Sequence, residues 1–320
     1  MAVSSNTLNG KTIVLMGGGG FFGTRVAQEL LARGARLRIA SRHPKRAWRI
    51  KTLGNLGQVQ FLRADITDHA LMPTLVRGAD GVVNLVGAFR GDLEAVHVTG
   101  PGALAAACAA AGVGAFVHVS ANGADAASAI AYARTKALGE ARVLAAFPEA
   151  TILRPSILFG GDDNFINMFA RLISSLPALP VFGPNAQMQP VFVDDAAAAL
   201  ANALGDPEKF GGKTYELCGP DVLTMADINR QIAAAQGRKT KFIDLPDPLS
   251  AAFARATGWL PGAPLSSDQF ALLKAGNVAS GLPGLTALGL AARPLSLFLD
   301  RWMVRYRKHG RFSDKRGLAG

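Results

Sequence analysis

Apolar and polar positions change their period repeatedly along the chain, and each change marks an element. Thr12-Ile13-Val14-Leu15-Met16 is an unbroken β-branched and apolar run, the pattern of a strand covered on both faces. Four glycines, Gly17 to Gly20, interrupt it, and Phe22, Val26, Leu30 and Leu31 then recur on one helical face. Residues 35–42 alternate as a second strand and residues 59–64 read as a third. A helix over 70–76 leads to a strand over 81–87, and a helix over 103–111 leads to a strand over 115–120. Further strands are expected over 151–160 and 213–220, with an alanine-rich helix over 196–204 between them. Asp194 or Asp195 is expected to cap that helix, with a catalytic carboxylate the weaker alternative. Thr224-Met225-Ala226-Asp227 has the character of a capping box ahead of a helix over 228–236.

Regular alternation of strands and helices predicts an α/β fold, a Rossmann-type doubly wound parallel sheet with a small C-terminal lobe. The expected division is a nucleotide-binding domain over 1–155, the remaining sheet elements interleaved with the lobe over 156–293, and a basic amphipathic tail over 294–320. The first strand, turn and helix supply the chemistry. They carry Gly-x-x-Gly-Phe-x-Gly as Gly17, Gly20, Phe21, Phe22 and Gly23, in the strand-to-helix context of a dinucleotide site. Gly17 suits the turn, Gly20 lets the backbone approach a pyrophosphate, and Gly23 lets helix and strand pack closely. The phosphates then meet the free N–H groups of the helix start.

The end of the second strand selects the cofactor. A site for NAD usually places Asp or Glu there, on the ribose 2′-hydroxyl. Here Ser41 and Arg42 stand at that point, with Lys45 and Arg46 behind. A hydroxyl and guanidinium groups hold a 2′-phosphate that a carboxylate would repel, so NADPH (NADP+) is expected over NADH. Solvated surface charge is the plain alternative. Asp65 at the end of the third strand is expected at the adenine edge with Ile66 on its face, and Gly87 and Ala88 beneath the riboses.

Of 320 residues, 49% are hydrophobic, so a sizeable core can form. The formal charge of +11 is unevenly placed. No acidic residue lies between Glu29 and Asp65, and a second basic block spans Arg301 to Arg316. Such blocks suit a phosphorylated ligand, an anionic membrane or an acidic partner. Nucleic acid is disfavoured, because few aromatics are interleaved with them. Cys108 and Cys218 have no metal-ligand spacing, and neither a metal nor a disulfide is expected. The first ten residues are polar and no run reaches membrane-spanning length, so a cytoplasmic protein is expected.

Tyr132-Ala133-Arg134-Thr135-Lys136 is Tyr-x-x-x-Lys at helical spacing, with both side chains on one face. With the glycine loop, it resembles the extended or atypical short-chain dehydrogenases/reductases. The resemblance implies that Tyr132 is the general acid/base and that Lys136 lowers the tyrosine pKa and bonds the nicotinamide ribose. That family places Ser or Thr just beyond the fifth strand. Ala121 and Asn122 are read there, with Ser120 a little early. It also carries Asn in an Asn-Val-x-Gly pattern where this chain has His97-Val98-Thr99-Gly100. His97 is therefore open between a relay and a solvated or capping role. Thr151 to Gly160 resembles the family's sixth strand with its Arg154-Pro155, and Pro155 is expected near the nicotinamide.

Arg-Pro-Ser-x-x-Phe-Gly-x-x-Asp-x-Phe-x-Asn, Pro-Val-x-Val-x-Asp and the late Asn277-Val278-Ala279-Ser280 resemble one atypical branch. It comprises the dinucleotide-binding accessory subunits of respiratory complex I, NADH:ubiquinone oxidoreductase, and their bacterial relatives. The resemblance runs from Gly10 to about Phe312 and implies complex I subunits as partners, with a tightly held, mainly structural NADPH. The alternative is an active NADP(H)-dependent reductase or epimerase acting on a quinone-like, steroid-like or nucleotide-sugar substrate. In the tail, Leu295, Phe298, Leu299, Trp302 and Tyr306 recur at helical spacing beside Arg301, Arg305 and Lys308. That pattern suits an anionic membrane at the inner face of the plasma membrane, or a helix packed on the protein's own core.

Overall fold

The computed structural model describes residues 7–257, 267–308 and 310. The first six residues, and the part of the basic tail beyond 310, lie outside the described residues. The chain forms two compact units. One takes the described residues up to Pro155 with Val193–Cys218 and Ala279–Ala292. The other takes the described residues of Ser156–Phe192, Gly219–Val278 and those from Arg293 on.

The first unit begins with β1 (Thr12–Met16), α1 (Phe21–Ala32), β2 (Arg36–Ser41) and β3 (Val59–Arg63). It continues with α2 (Met72–Val76), β4 (Gly81–Asn84), α3 (Gly100–Ala110) and β5 (Ala115–Val119). α4 (Ala131–Ala146) and β6 (Thr151–Pro155) complete the series, and a last strand, Thr214–Leu217, lies beside β6. Across the sheet the order is Thr214–Leu217, β6, β5, β4, β1, β2, β3, and every pairing is parallel. This is the doubly wound Rossmann fold. The winding reverses between β1 and β4, so the carboxyl ends of those strands open the crevice in which such sheets bind ligands. The inner strands are short apolar runs because helices cover both faces. Val14, Met16, Val82, Phe116 and Ile152 are buried among Leu104 and Cys108 of α3. The Cys108 thiol is pushed up to about 12 by burial, which makes it a core residue and not a reactive one.

Several boundaries differ from the sequence pattern. β4 stops at Asn84, whose side chain turns back to accept from the Val86 N–H. β5 stops at Val119, so Ser120 is the first residue beyond it. The expected strand over 151–160 is split after Pro155, and only Leu158–Phe159 resumes. The alanine-rich helix begins at Val193, which places Asp194 and Asp195 inside its first turn and not at its cap. There the carboxylates complement the helix dipole, and Asp194 pairs with Arg25 of α1. Residues 44–53, left unassigned by periodicity, form a 3₁₀ helix.

In the second unit, Ala178–Phe182 pairs with Lys241–Leu245, and Leu158–Phe159 with Val191–Phe192. Helix Met225–Gln236 starts three residues earlier than its pattern suggests. Its Thr224–Asp227 capping box is reciprocal, with both backbone N–H groups satisfied. The tail forms helix Ser296–Met303. Leu295, Leu299 and Met303 are buried, and Phe298 and Trp302 stack on one another beside Phe159 and Phe192. Arg293 lies over the Phe192 ring. Arg305 donates to the Gly161 carbonyl and to Asn167 Oδ1, which also accepts from the Tyr306 hydroxyl at 2.9 Å. The apolar side of the tail is thus covered within its own unit.

Two features fix α4, the helix that carries Tyr132 and Lys136. Arg154 on β6 grips Glu140 with two hydrogen bonds of 2.9 and 2.6 Å. On its other side α4 presses against a π-helical turn, Ala95–Thr99, at Gly139. A Cβ at position 139 would stand 1.9 Å from the His97 carbonyl oxygen. Gly139→Ala is therefore expected to force the two elements apart and to cost about 3 kcal/mol of stability, an overpacking effect. Urea unfolding of the variant beside the wild type measures it.

Candidate functional site

The glycine loop links β1 to α1 at the crevice. Gly17 has φ +85°, and a Cβ there would meet the backbone of Leu85 at 3.1 Å. At Gly23 a Cβ would stand 2.6 Å from the Gly18 carbonyl oxygen, so helix and loop touch because the side chain is missing. Gly20 differs. It is extended, exposed, and a Cβ there would meet nothing nearer than 3.8 Å. The protein's own packing does not require glycine at 20, whereas a pyrophosphate lying on the loop does. No side chain caps α1 and no acidic residue occupies its first turn, which leaves those N–H groups to an anion. Phe21 and Phe22 are half-buried at the head of the helix.

Around the ends of β2 and β3 lie the residues expected at the adenine ribose. The Ser41 hydroxyl is buried and has no hydrogen-bond partner within the protein. It would lie 3.7 Å from a Cβ on Gly19, directly beside the loop. Arg42 and Arg46 are exposed. Asp65 accepts from the Thr67 N–H and hydroxyl, at 3.1 and 2.9 Å. That backbone bond leads in holding its carboxyl below the usual range, against some burial, with the Thr67 hydroxyl and Arg42 adding to it. Ile66 is buried in the core against Gly100, so its side chain faces inward.

Beyond β4 and β5 the side chains are more tightly connected than their spacing suggests. Lys136 is buried, its Nζ 3.3 Å from the Val119 carbonyl and 3.4 Å from that of Val86. Burial pushes its pKa down to about 8, partly countered by Glu140, whose oxygens are already held by Arg154. A Cβ at Gly87 would press on this ammonium at 3.3 Å, so glycine there keeps open the approach to Lys136. Ser120, the first residue past β5, has a buried hydroxyl without a partner in the protein. It thus lies one residue beyond the strand and not at its end as the sequence pattern suggests. Pro155 is buried, and its carbonyl receives the Asn122 N–H.

His97 is neither solvated nor a cap. It is buried, its Nε2 accepts the Ala88 N–H at 3.0 Å, and its Nδ1 lies 2.9 Å from the Thr135 hydroxyl. Because Nε2 accepts, the proton sits on Nδ1 and is donated to Thr135, which in turn donates to the Ala131 carbonyl. Burial, with the charge of Lys136, lowers His97 to about 4, so the ring is neutral at physiological pH. Its role is to pin the Gly87–Ala88 loop to α4. Tyr132 lies edge-on to His97 and is stacked under Phe89, with centroids 4.5 Å apart. Burial pushes the Tyr132 phenol up to about 12, opposite to the shift expected of an activated acid/base. Deeper in, Asn84 contacts His118 Nδ1 at 3.0 Å, and the opposite nitrogen of that ring has no partner in the protein.

The crevice therefore holds two orphaned buried hydroxyls, Ser41 and Ser120, and a buried ammonium with only long carbonyl contacts. Those groups, with the open glycine loop, fit a dinucleotide. Sheet order and loop define the chain as an NAD(P)-binding Rossmann protein. It belongs to the NmrA-like family, whose model matches residues 9–254. The chain is 32% identical over 313 residues to the mitochondrial NADH dehydrogenase [ubiquinone] 1 alpha subcomplex subunit 9 of Rattus norvegicus, covering 95% of this chain and 82% of that protein. It is also 32% identical over 244 residues to ceramide reductase of Caulobacter vibrioides, covering 74% of each. Among solved structures it shares the fold of the Bordetella bronchiseptica enzyme WbmF in complex with NAD+ and UDP, with a TM-score of 0.68. That match has 18% identity and covers 95% of this chain and 93% of the other.

Lys136 generates a pH prediction for the nucleotide-free protein. In the unfolded chain its amine keeps the ordinary value of 10.5, while in the folded protein it is about 8. Between those values the unfolded chain binds more protons, so stability rises with pH across that window. Below about 8 both states are charged and the full penalty of the buried ammonium persists. Melting temperatures followed from neutral to alkaline pH are expected to climb relative to those of Lys136→Met, which should be flatter and should start higher.

Proposed function

We propose that this chain is an NADP(H)-binding accessory or assembly protein of respiratory complex I, in which the nucleotide serves mainly as structure. The observation that carries this reading is the 32% identity along nearly the whole chain to a complex I subunit. The site agrees with it. Ser41, Ser120, Lys136 and the glycine loop offer what a dinucleotide needs, while Tyr132 sits under Phe89 with its phenol harder to ionise than usual. When bound, the nucleotide would supply a hydride. The residues here bind and orient: Ser41, Arg42 and Arg46 toward the 2′-phosphate, Asp65 toward the adenine, Gly20 under the pyrophosphate, and Lys136 on the nicotinamide ribose. Such a protein would work peripherally, on the inner face of the membrane that carries the complex. No helix among the described residues is long and apolar enough to cross a membrane. Contact with an anionic membrane through the tail has narrow support, since its helix region leaves Ser296, Leu297, Asp300, Arg301, Arg305 and Lys308 exposed, with Leu297 the one large apolar side chain among them.

A second reading has its own observation. Ser120 stands one residue past β5, so Ser120, Tyr132 and Lys136 complete the residue set of an NADP(H)-dependent reductase, and a ceramide reductase is among the relatives.

Cofactor choice rests on Arg42 where an NAD site would carry a carboxylate. Arg42→Ala is expected to weaken NADPH about tenfold to a hundredfold, the size of a charge-assisted contact, while NADH changes little. Calorimetric titration with both nucleotides checks this, and equal losses would exclude the assignment. Role is decided in cells. Tyr132→Phe should leave complex I assembly and NADH:quinone activity near wild type, whereas Lys136→Ala should impair both and lower the melting temperature by releasing nucleotide. A Tyr132→Phe defect as deep as deletion would make the chain an enzyme.

A further inference from the structure

The β2–β3 connection carries more cation and more exposed apolar surface than a nucleotide phosphate uses. Pro44–Leu53 is a 3₁₀ helix, so residues three apart lie on one edge. Ala47 and Ile50 form the inner edge and are buried, and a Cβ on Gly19 would touch Ala47 at 3.4 Å, which seats the element beside the glycine loop. The outer edge is Lys45, Trp48 and Lys51. Trp48 is 58% exposed, held between two lysines one turn away on either side. Leu53 emerges at the end of the helix, 47% exposed, and Leu56 is fully exposed at the tip of the following turn, next to Gly57 with φ +76°. Of the nearby basic residues, Arg33 and Arg38 are engaged within the unit, on Glu29 and on the carbonyls of Leu75 and Arg77. Lys45, Arg46, Arg49 and Lys51 remain exposed, and no acidic residue occurs between Glu29 and Asp65 to balance them.

We propose that Lys45–Leu56 is a docking surface for an anionic lipid bilayer. A tryptophan and two leucines set among cations match the boundary between headgroups and acyl chains. There an indole lies at headgroup level, leucine enters the apolar layer, and ammonium and guanidinium groups meet lipid phosphates. Nothing acidic in this stretch offers a partner protein an ion pair of the opposite sense, so the charge complementarity is one-sided, as a uniformly anionic surface requires. The buried edge, Ala47 and Ile50, seats the helix on its unit with Trp48 outward, and Leu53 and Leu56 follow it as further exposed apolar side chains. This inference does not rest on the complex I reading, because it needs neither nucleotide nor partner subunits.

The test is flotation of the full-length protein with vesicles of phosphatidylcholine alone and of phosphatidylcholine mixed with phosphatidylglycerol. Wild type is expected on the anionic vesicles only, with binding reduced by high salt. Lys45→Gln with Lys51→Gln should weaken binding roughly 25-fold, about fivefold for each cation near the surface. Trp48→Ser with Leu56→Ser should lower binding at low and high salt alike, since that part of the attraction is apolar. All four side chains are exposed, and an unchanged melting temperature shows that the variants fold. Failure of the wild type to float with anionic vesicles overturns the proposal. So does a wild-type affinity in both double variants, with loss only in Arg301→Gln/Lys308→Gln, which would assign the contact to the tail. Capture of a purified acidic protein complex through Lys45 and Lys51, without vesicle binding, overturns it in favour of a protein partner.

Discussion

The buried ammonium of Lys136 is the constraint to which the rest of the site answers. A primary amine removed from water needs charge or dipoles around it, and here the nearest carboxylate, Glu140, is already held by Arg154. Two carbonyls at long range and a lowered proton affinity are what remain. The amine is kept there from three sides. Arg154 ties α4 to β6, Gly139 lets α4 press on the turn at His97, and His97 holds the loop whose Gly87 leaves the ammonium uncovered. A ribose hydroxyl would supply the missing partner. On the proposed reading, nucleotide binding would therefore be coupled to the stability of this corner of the sheet.

Local signals in the sequence were the informative ones. The glycine loop and Tyr-x-x-x-Lys each lie within one turn of chain, and β1, α1 and the parallel order follow from runs whose period is unmistakable. Ser120 reads as part of β5 because its small buried side chain continues the apolar pattern and its N–H still donates to the Leu153 carbonyl of β6, one residue past Val119, the last residue in register. His97 was left open because its partners, Ala88 and Thr135, lie 9 and 38 residues away and only the fold joins them. Distance also hid the pairing inside the second unit, where Ala178–Phe182 finds its partner at Lys241–Leu245. The tail's apolar repeat was legible, but which surface would cover it was not, since Phe159 and Phe192 belong to remote segments. The 3₁₀ helix over 44–53 escaped because a three-residue period is too close to the helical one to announce itself in ten residues.

The order of the site also explains how one family can contain subunits and reductases. On the reading proposed above, the groups that would hold the nucleotide lie on the glycine loop, beyond the ends of β2, β3, β4 and β5 and on α4, whereas the face of Tyr132 is covered by Phe89 from the loop after β4.

Phe89 makes that separation concrete. Its ring is 55% exposed, yet one face lies flat on Tyr132. It would act as an internal competitor: a molecule that is to lie on that face of Tyr132 must first displace a ring covalently tethered beside it. The apparent affinity of such a molecule falls by the fraction of time the ring is away. A small polar carbonyl compound would not replace the lost stacking, while a flat or long apolar molecule would restore the same contact. Any substrate of Tyr132 would thus be sorted before a hydrogen bond to it formed, by what the chain keeps over its own tyrosine.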